Sequence, residues 1–168
     1  MRRWLRRAAV CGVVGVAAVA AIGWMLPVAH VVSRTTVIAA PPAAVYARIS
    51  EVSGYPRWRS EVSRVERLPP VDGRPRYREH MSSGAIVFET VEAVAPHRFV
   101  SRIADPDQPF GGTWTFELTA EGQGTRVSLT ERGEVYNPIF RFLSHYVFSQ
   151  TATVESCLAA LADSLTVR

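Results

Sequence analysis

The sequence predicts an α+β domain in which a curved antiparallel sheet of about six to seven strands encloses a long C-terminal helix. From Asn137 to Val167 the apolar residues recur with helical periodicity, and this run contains no Gly and only Pro138. The hundred residues before it alternate apolar and polar positions in segments divided by turn signals. Because a single helix cannot bury so long an apolar stripe alone, it needs a curved sheet around it.

The elements follow in a simple order along the chain. Residues 34–39 are rich in β-branched residues and predict the first strand, and Pro41-Pro42 begins a short helix over 43–49. After Gly54-Tyr55-Pro56, a second short helix or turn is expected over 57–61. Six further strands are predicted, over residues 62–68, 74–81, 85–94, 98–104, 112–120 and 125–133. The links between them are too short for parallel crossovers, so the sheet should be antiparallel.

The N-terminal segment, residues 1–32, predicts a membrane anchor ahead of a domain over residues 33–168. Its residues 8–32 contain no Asp, Glu, Lys or Arg and follow four arginines. About 20 apolar residues cross a bilayer core, so this run predicts one transmembrane helix. Positive charge stays in the cytoplasm, which places the N-terminus inside and the domain outside the cytoplasmic membrane. The alternative is a cleaved signal peptide, which would release a secreted domain.

The charge distribution argues against a nucleic-acid partner. The formal net charge of +4 resides in the four arginines of residues 2–7. From Ser33 onward, fifteen Arg balance fifteen Asp and Glu. A nucleic-acid-binding domain would carry an excess of positive charge on its folded part.

Neither a metal site nor a cofactor is expected. No two histidines share the spacing of metal ligands, and no Gly-rich phosphate loop or nucleophile motif is present. Cys11 lies in the N-terminal apolar run and Cys157 on the C-terminal helix, so we expect them not to pair. Cys157 continues the apolar stripe and is expected in the core.

Particular stretches of the chain are similar to a known family. They are Ile38-Ala39-Ala40-Pro41 with Val45-Tyr46, Tyr55-Pro56-Arg57-Trp58, the segment GTWTFEL at 112–118, Gly124-Thr125-Arg126-Val127 with Thr130-Glu131, and Asn137-Pro138. Together with the order of elements they resemble the SRPBCC or START-like helix-grip superfamily, in its bacterial polyketide cyclase/dehydrase-like branch. The resemblance covers about Ser33 to the end. It implies a cavity between sheet and helix for a lipid or other hydrophobic small molecule, and it carries no fixed catalytic motif.

The cavity that this fold implies would be lined by inward-facing strand residues and by the long helix. The candidate ligand-binding residues are Trp58, Tyr77, Phe99, Trp114, Phe116, Leu129, Phe142 and Tyr146. An aromatic and mostly apolar lining suits a hydrophobic or planar ligand. The alternative interpretation is that these rings fill the core.

Two acidic residues continue the inward series of their strands, Glu79 beside Tyr77 and Glu131 beside Leu129. A carboxyl group in an apolar cavity has a raised pKa and is a candidate general acid or base. Because unpaired burial of charge is unfavourable, the alternative is that both glutamates pair with Arg or reach solvent.

Three functions therefore stay open. The first is a membrane-anchored binding domain for a hydrophobic small molecule, without catalysis. The second is a cyclase, dehydratase or aromatase that uses Glu79, Glu131, Tyr77 and Tyr146 as acid and base groups. The third is a partner-binding module with a filled core, whose contacts would be the loops 69–74 and 105–112 with Phe110. The sequence predicts no oligomeric state.

Overall fold

The computed structural model describes residues 2–147 and 151–166. Helix α1 (Arg2–Met25) is followed by strand β1 (Ala29–Ile38), helix α2 (Pro42–Ser50) and a short 3₁₀ helix (Val52–Arg57). Six strands come next: β2 (Val62–Val71), β3 (Arg74–Met81), β4 (Gly84–Val94), β5 (Arg98–Ile103), β6 (Phe110–Glu121) and β7 (Gly124–Val135). Helices α3 (Pro138–Tyr146) and α4 (Ala152–Leu165) follow.

The seven strands form one sheet in the order β1-β7-β6-β5-β4-β3-β2, and every neighbouring pair is antiparallel. The predicted antiparallel sheet is thus confirmed, and all predicted strands are present. Alternation of apolar and polar residues predicted them well because one face of this sheet packs inward while the other meets water.

The hydrophobic core lies between the sheet and the helices α2 and α4. Ile49 of α2, Leu161 of α4 and Val127 and Leu129 of β7 are fully buried. Complete burial of such a side chain is worth about 1.5–3 kcal/mol, so these contacts hold both helices to the sheet. Cys157 of α4 is also buried and unpaired, as its place on the apolar stripe predicted.

The single helix predicted over residues 137–167 is wrong, because the chain forms two helices there. Asn137 caps α3 as expected, and its side-chain oxygen accepts hydrogen bonds from the backbone of Ile139 and Phe140. Helix α3 packs against α1 and β7, whereas α4 packs against β1, β7 and α2. The two halves of the apolar stripe therefore have different partners. Residues 148–150 and 167 of the predicted helix lie outside the described residues.

The predicted membrane segment is also divided between two elements. Helix α1 ends at Met25, and residues 29–32 belong to β1, where Ala29 lies opposite Glu134 and Val32 opposite Glu131. The folded domain therefore begins before residue 33. Within residues 2–147 and 151–166, no helix is long and apolar enough to cross a membrane.

Helix α1 is joined to the rest of the fold through the buried side chain of Arg141 on α3. Its guanidinium donates hydrogen bonds to four backbone carbonyl groups, those of Gly23 (3.2 Å), Leu26 (3.1 Å), Val135 (2.9 Å) and Tyr136 (3.1 Å). Two of these carbonyls lie at the C-terminal end of α1 and two at the end of β7. Carbonyl groups at a helix end have no partner within the helix, so Arg141 both satisfies and positions them.

The close approach of α1 to α3 depends on Gly23, since a Cβ atom there would overlap the carbonyl oxygen of Pro138. We expect Gly23→Ala to destabilise this contact by about 1–3 kcal/mol. Gly15→Ala is the matched control, because no atom lies near a Cβ at that position in the same helix. Ala favours helix over Gly by up to about 1 kcal/mol, so the control should leave α1 unchanged or more stable.

Hydrogen–deuterium exchange of the two variants measures this difference directly. Gly23→Ala should accelerate exchange of the amides in both α1 and α3, while Gly15→Ala should not. Equal exchange in the two variants would show that the contact between α1 and α3 does not need a glycine.

Candidate functional site

A cavity of about 400 Å³ lies between the inner face of the sheet and the helices α3 and α4. Strands β3 to β7 contribute most of its wall, and Phe140, Ser144, Thr153 and Cys157 contribute from the two helices. This volume falls within the range of small-molecule binding sites. The partner-binding alternative requires a filled core, and the cavity shows that the core is not completely filled. Phe110, which that alternative placed on a contact surface, instead lines the cavity.

Aromatic side chains dominate the wall of the cavity. They are Tyr55, Trp58, Tyr77, Phe88, Phe110, Trp114, Phe116 and Phe140. The rings of Tyr77 and Phe88 are stacked with their centroids 5.6 Å apart, and Tyr55 meets Tyr77 edge-on at 6.3 Å. Such packing fixes the orientation of the rings in the cavity wall.

The register of the sheet explains why these residues face the same way. Residues directly opposite each other in antiparallel strands share one face. Tyr77 lies opposite Phe88, and Trp114 lies opposite both Ser101 and Glu131. The inward-facing residues of five neighbouring strands, β3 to β7, therefore line one cavity.

Glu79 lies at the inner wall and is buried, with 1 % of its surface exposed. Its Oε1 accepts a hydrogen bond of 3.0 Å from Nη1 of Arg59, and Arg59 Nε also donates to Oε1 of Glu61 at 2.8 Å. The Arg59 guanidinium lies 5.1 Å from the ring centroid of Tyr55. Burial raises the pKa of Glu79 above its ordinary value, and the opposing effect of Arg59 only partly offsets it. Glu79 is thus both paired and inside the cavity.

Two buried polar atoms of this wall lack a hydrogen-bond partner. They are Oε2 of Glu79 and the indole Nε1 of Trp58. A buried donor or acceptor without a partner typically costs about 1–3 kcal/mol. Both atoms belong to residues that line the cavity.

A second acidic residue, Glu131, lies in a different part of the wall. Its side chain is 20 % exposed, and its Oε1 lies 3.9 Å from Nε2 of His30. Burial raises the pKa of Glu131, and a hydrogen bond from the Trp114 side chain offsets part of this effect. The described residues contain no cluster of three His, Cys, Asp or Glu side chains that would hold a metal ion.

Two glycines face each other across β6 and β7 at the wall of the cavity. Gly112 has a φ of +133°, a conformation that other residues rarely adopt. A Cβ on its partner Gly133 would overlap the ring of His30. The pair therefore lets the two strands and His30 approach closely.

Cys157 contributes a thiol to the cavity wall. Burial raises the pKa of this thiol to about 12, so it is neutral near pH 7. A neutral thiol is a poor nucleophile, which agrees with a packing role for this residue.

Six of the ten predicted site residues line the cavity: Trp58, Tyr77, Glu79, Trp114, Phe116 and Glu131. Phe99 and Leu129 lie on either side of Phe116 in the sheet but belong to the packed core. Phe142 and Tyr146 are on α3 but outside the cavity wall, to which this helix contributes Phe140 and Ser144 instead. Tyr146 is 60 % exposed there, with its ring 5.0 Å from that of Phe142.

Several residues of the wall are not among those predicted from the sequence. Phe88, Ile86 and Ile103 alternate within predicted strands, so the same pattern that selected Tyr77 would have found them. Arg59 follows the 3₁₀ helix in a turn, where no alternation reveals the direction of a side chain. His30 was assigned to the membrane segment.

The chain is similar to known proteins in sequence and in fold. A profile of the family described as polyketide cyclase / dehydrase and lipid transport matches residues 29–166. The match begins at the first residue of β1 and includes the whole sheet and the helices α2, α3 and α4. No curated protein sequence matches the chain.

Several solved structures have the same fold. A START superfamily protein from Mycobacterium smegmatis is 20% identical with a TM-score of 0.65, over 81% of this chain and 97% of that chain. The protein TTHA0849 from Thermus thermophilus is 26% identical with a TM-score of 0.66, over 81% and 97%. The Zhui aromatase/cyclase from Streptomyces sp. R1128 is 15% identical with a TM-score of 0.64, over 82% and 93%. The helix-grip fold that the resemblance implied is therefore confirmed.

The raised pKa of Glu131 predicts a pH-dependent effect of Glu131→Gln on stability. The folded protein holds the Glu131 proton more tightly than the unfolded chain, so this carboxyl contributes stability below its ordinary pKa of 4.5. That contribution is lost as the pH rises through the folded pKa. The free energy of unfolding of Glu131→Gln should therefore increase relative to wild type as the pH rises above 4.5 and through the folded pKa.

Urea unfolding of both proteins at several pH values measures this difference. Asp163→Asn, at an exposed carboxyl of α4, controls for the loss of one negative charge. A difference between Glu131→Gln and wild type that stays constant with pH would mean that burial does not perturb this carboxyl.

Proposed function

The chain belongs to the polyketide cyclase/dehydrase and lipid transport family, and on this basis we propose that it binds a lipid or other hydrophobic small molecule. The observation that carries the proposal is the cavity of about 400 Å³ between the sheet and the helices α3 and α4. Its wall is mainly aromatic, and burial of apolar ligand surface against such a wall contributes roughly 25 cal/mol per Å². From Ser33 onward the chain carries as many Arg as Asp and Glu, a charge balance that does not favour a polyanion as the ligand.

Two measurements test the proposal on the full-length protein. Native mass spectrometry after gentle purification should detect a stoichiometric extra mass, and extraction should identify it as an apolar molecule. The neutral fluorescent probe N-phenyl-1-naphthylamine should bind with increased emission and compete with that molecule. An apo mass together with no response to the probe would contradict the proposal.

A substitution that fills part of the cavity should weaken binding. Ile103 lies opposite Phe88 on the cavity face of β5, so Ile103→Trp places a large ring in the cavity. We expect at least a roughly tenfold loss of affinity for N-phenyl-1-naphthylamine, because the wall and the ligand would occupy the same space. Val37→Trp, at a position of β1 that is 53% exposed, is the matched control and should bind like wild type. Equal affinity of the two variants for the probe would show that the probe binds outside this cavity.

Catalysis on a polyketide-like substrate is the second candidate, and the two carboxyl groups in the cavity wall favour it. A carboxylate would remove a proton from a carbon beside a ketone, and the resulting enolate would attack a second ketone of the same chain, forming a C–C bond and a hydroxyl. Removal of a second proton from the attacking carbon and protonation of the hydroxyl by a carboxyl would then form a C=C bond and release water. Glu79 and Glu131 are the candidates because burial raises the pKa of both. Tyr77 remains available in the wall, whereas Tyr146 lies outside it.

Incubation with a linear poly-β-ketone thioester analogue tests this candidate. Mass spectrometry should show loss of water in the presence of the full-length protein. Glu131→Gln or Glu79→Gln should reduce the rate by about 100-fold or more, whereas Glu117→Gln on the outer face of β6 should not. An unchanged analogue in the presence of wild-type protein would argue for binding without catalysis.

Attachment to the cytoplasmic membrane through residues 8–32, with the domain outside, stays a prediction. The uncharged sequence of this run and the arginines before it support the prediction. Trp24 and Met25 at the end of α1 are 77% and 83% exposed, which also favours contact of this end with an apolar surface.

A further inference from the structure

One end of the cavity carries a donor and an acceptor that the protein itself leaves unused. The donor is the indole N–H of Trp58, and the acceptor is Oε2 of Glu79. Glu79 is almost completely buried, and its other oxygen is engaged by Arg59. An apolar ligand would leave both atoms without a partner, which is unfavourable in a desolvated site.

The residues that carry these two atoms are grouped around Tyr55, in one part of the cavity wall. The Tyr55 ring meets that of Trp58 edge-on, with centroids 5.4 Å apart, and it meets Tyr77 at 6.3 Å. Tyr77 precedes Glu79 by two residues on the same face of β3. Arg59, the partner of Glu79, lies over the same Tyr55 ring.

We propose that this end of the cavity binds a hydroxyl group of the ligand, which accepts a hydrogen bond from Trp58 and donates one to Glu79. A hydroxyl is a small neutral group that can do both through a single atom. This inference rests on the proposed function and makes it more specific. The ligand is then an amphiphile, such as a phenol or an alcohol with an apolar ring system, whose hydroxyl lies beside Trp58 and Glu79.

The residues beside this site indicate the shape and charge of the rest of the ligand. The stacked rings of Tyr77 and Phe88 lie beside the hydroxyl site and suit a planar apolar body. Arg59 is already engaged by two carboxylates, Glu61 and Glu79. A ligand carboxylate would therefore be repelled by Glu79, and Arg59 would not be free to pair with it. The site accordingly favours a neutral hydroxyl over an acid.

Three naphthalenes that differ in a single group test the inference. 2-Naphthol donates and accepts a hydrogen bond, 2-methoxynaphthalene only accepts, and 2-methylnaphthalene does neither. Competition with N-phenyl-1-naphthylamine on the full-length protein gives their relative affinities. We expect 2-naphthol to bind about tenfold or more tightly than 2-methylnaphthalene, with 2-methoxynaphthalene between them.

Two variants test separately the hydrogen bond from Trp58 and the hydrogen bond to Glu79. Trp58→Phe keeps an aromatic ring but removes the donor, so it should weaken binding of both oxygen-containing probes and spare 2-methylnaphthalene. In Glu79→Gln the amide oxygen accepts from Arg59 and the NH₂ group faces the ligand. Both oxygen-containing probes can accept from that group, so the preference for 2-naphthol over 2-methoxynaphthalene should disappear.

Trp114→Phe makes the same chemical change elsewhere in the cavity wall and should leave the order of the three probes unchanged. Equal affinity of wild type for all three probes would overturn the hydroxyl site while leaving the hydrophobic cavity in place. A loss of the order in Trp114→Phe but not in Trp58→Phe would also overturn it. Absence of binding by every probe would contradict both this inference and the proposed function.

Discussion

Burial of a carboxyl group in an apolar cavity costs a large free energy unless a partner compensates the charge. This constraint determines how the residues around Glu79 are arranged. Glu79 on β3 has Arg59 as its partner, and Arg59 is positioned in turn by Glu61 and by the ring of Tyr55. The Tyr55 hydroxyl donates a hydrogen bond of 2.7 Å to the carbonyl of Ile49 at the end of α2. One buried carboxyl thus connects β3, the 3₁₀ helix and α2.

The concave face of the sheet is divided between a packed core and an open cavity. Val154 and Leu161 of α4 are fully buried and fill the part that α2 also covers. Toward the other end, Gly112 and Gly133 bring no side chain to the wall, and α3 contributes only the edge of its apolar face, including the half-exposed Phe140. The division of the C-terminal segment into α3 and α4 thus separates the helix that fills the core from the helix that borders the cavity.

The sheet and the aromatic character of the cavity could be predicted from the sequence. Whether an individual inward-facing residue lines the cavity or belongs to the packed core could not. Alternation shows which face of a strand is buried, so it selected Phe116 together with Phe99 and Leu129. It cannot show which of these residues meets a helix and which meets open space. The break between α3 and α4 escaped prediction because no Gly or Pro marks it, and helical periodicity is local. The place of Arg59 depends on a turn whose direction is set by tertiary contacts with Tyr55 and Glu79.

Glu79 on β3 and Glu131 on β7 stand four strand positions apart in the sheet, roughly 19 Å along its surface at about 4.8 Å per strand. Between them the wall is apolar and aromatic. Burial of about 150 Å² of ligand ring surface there would contribute roughly 4 kcal/mol regardless of how the ligand is oriented. The orientation of the ligand must therefore be set by hydrogen bonds to the two carboxyl groups. A ligand that is apolar throughout would give neither carboxyl group a further hydrogen bond, and it would leave Oε2 of Glu79 without a partner. The arrangement accordingly favours an elongated molecule with an apolar centre and small polar groups at its ends.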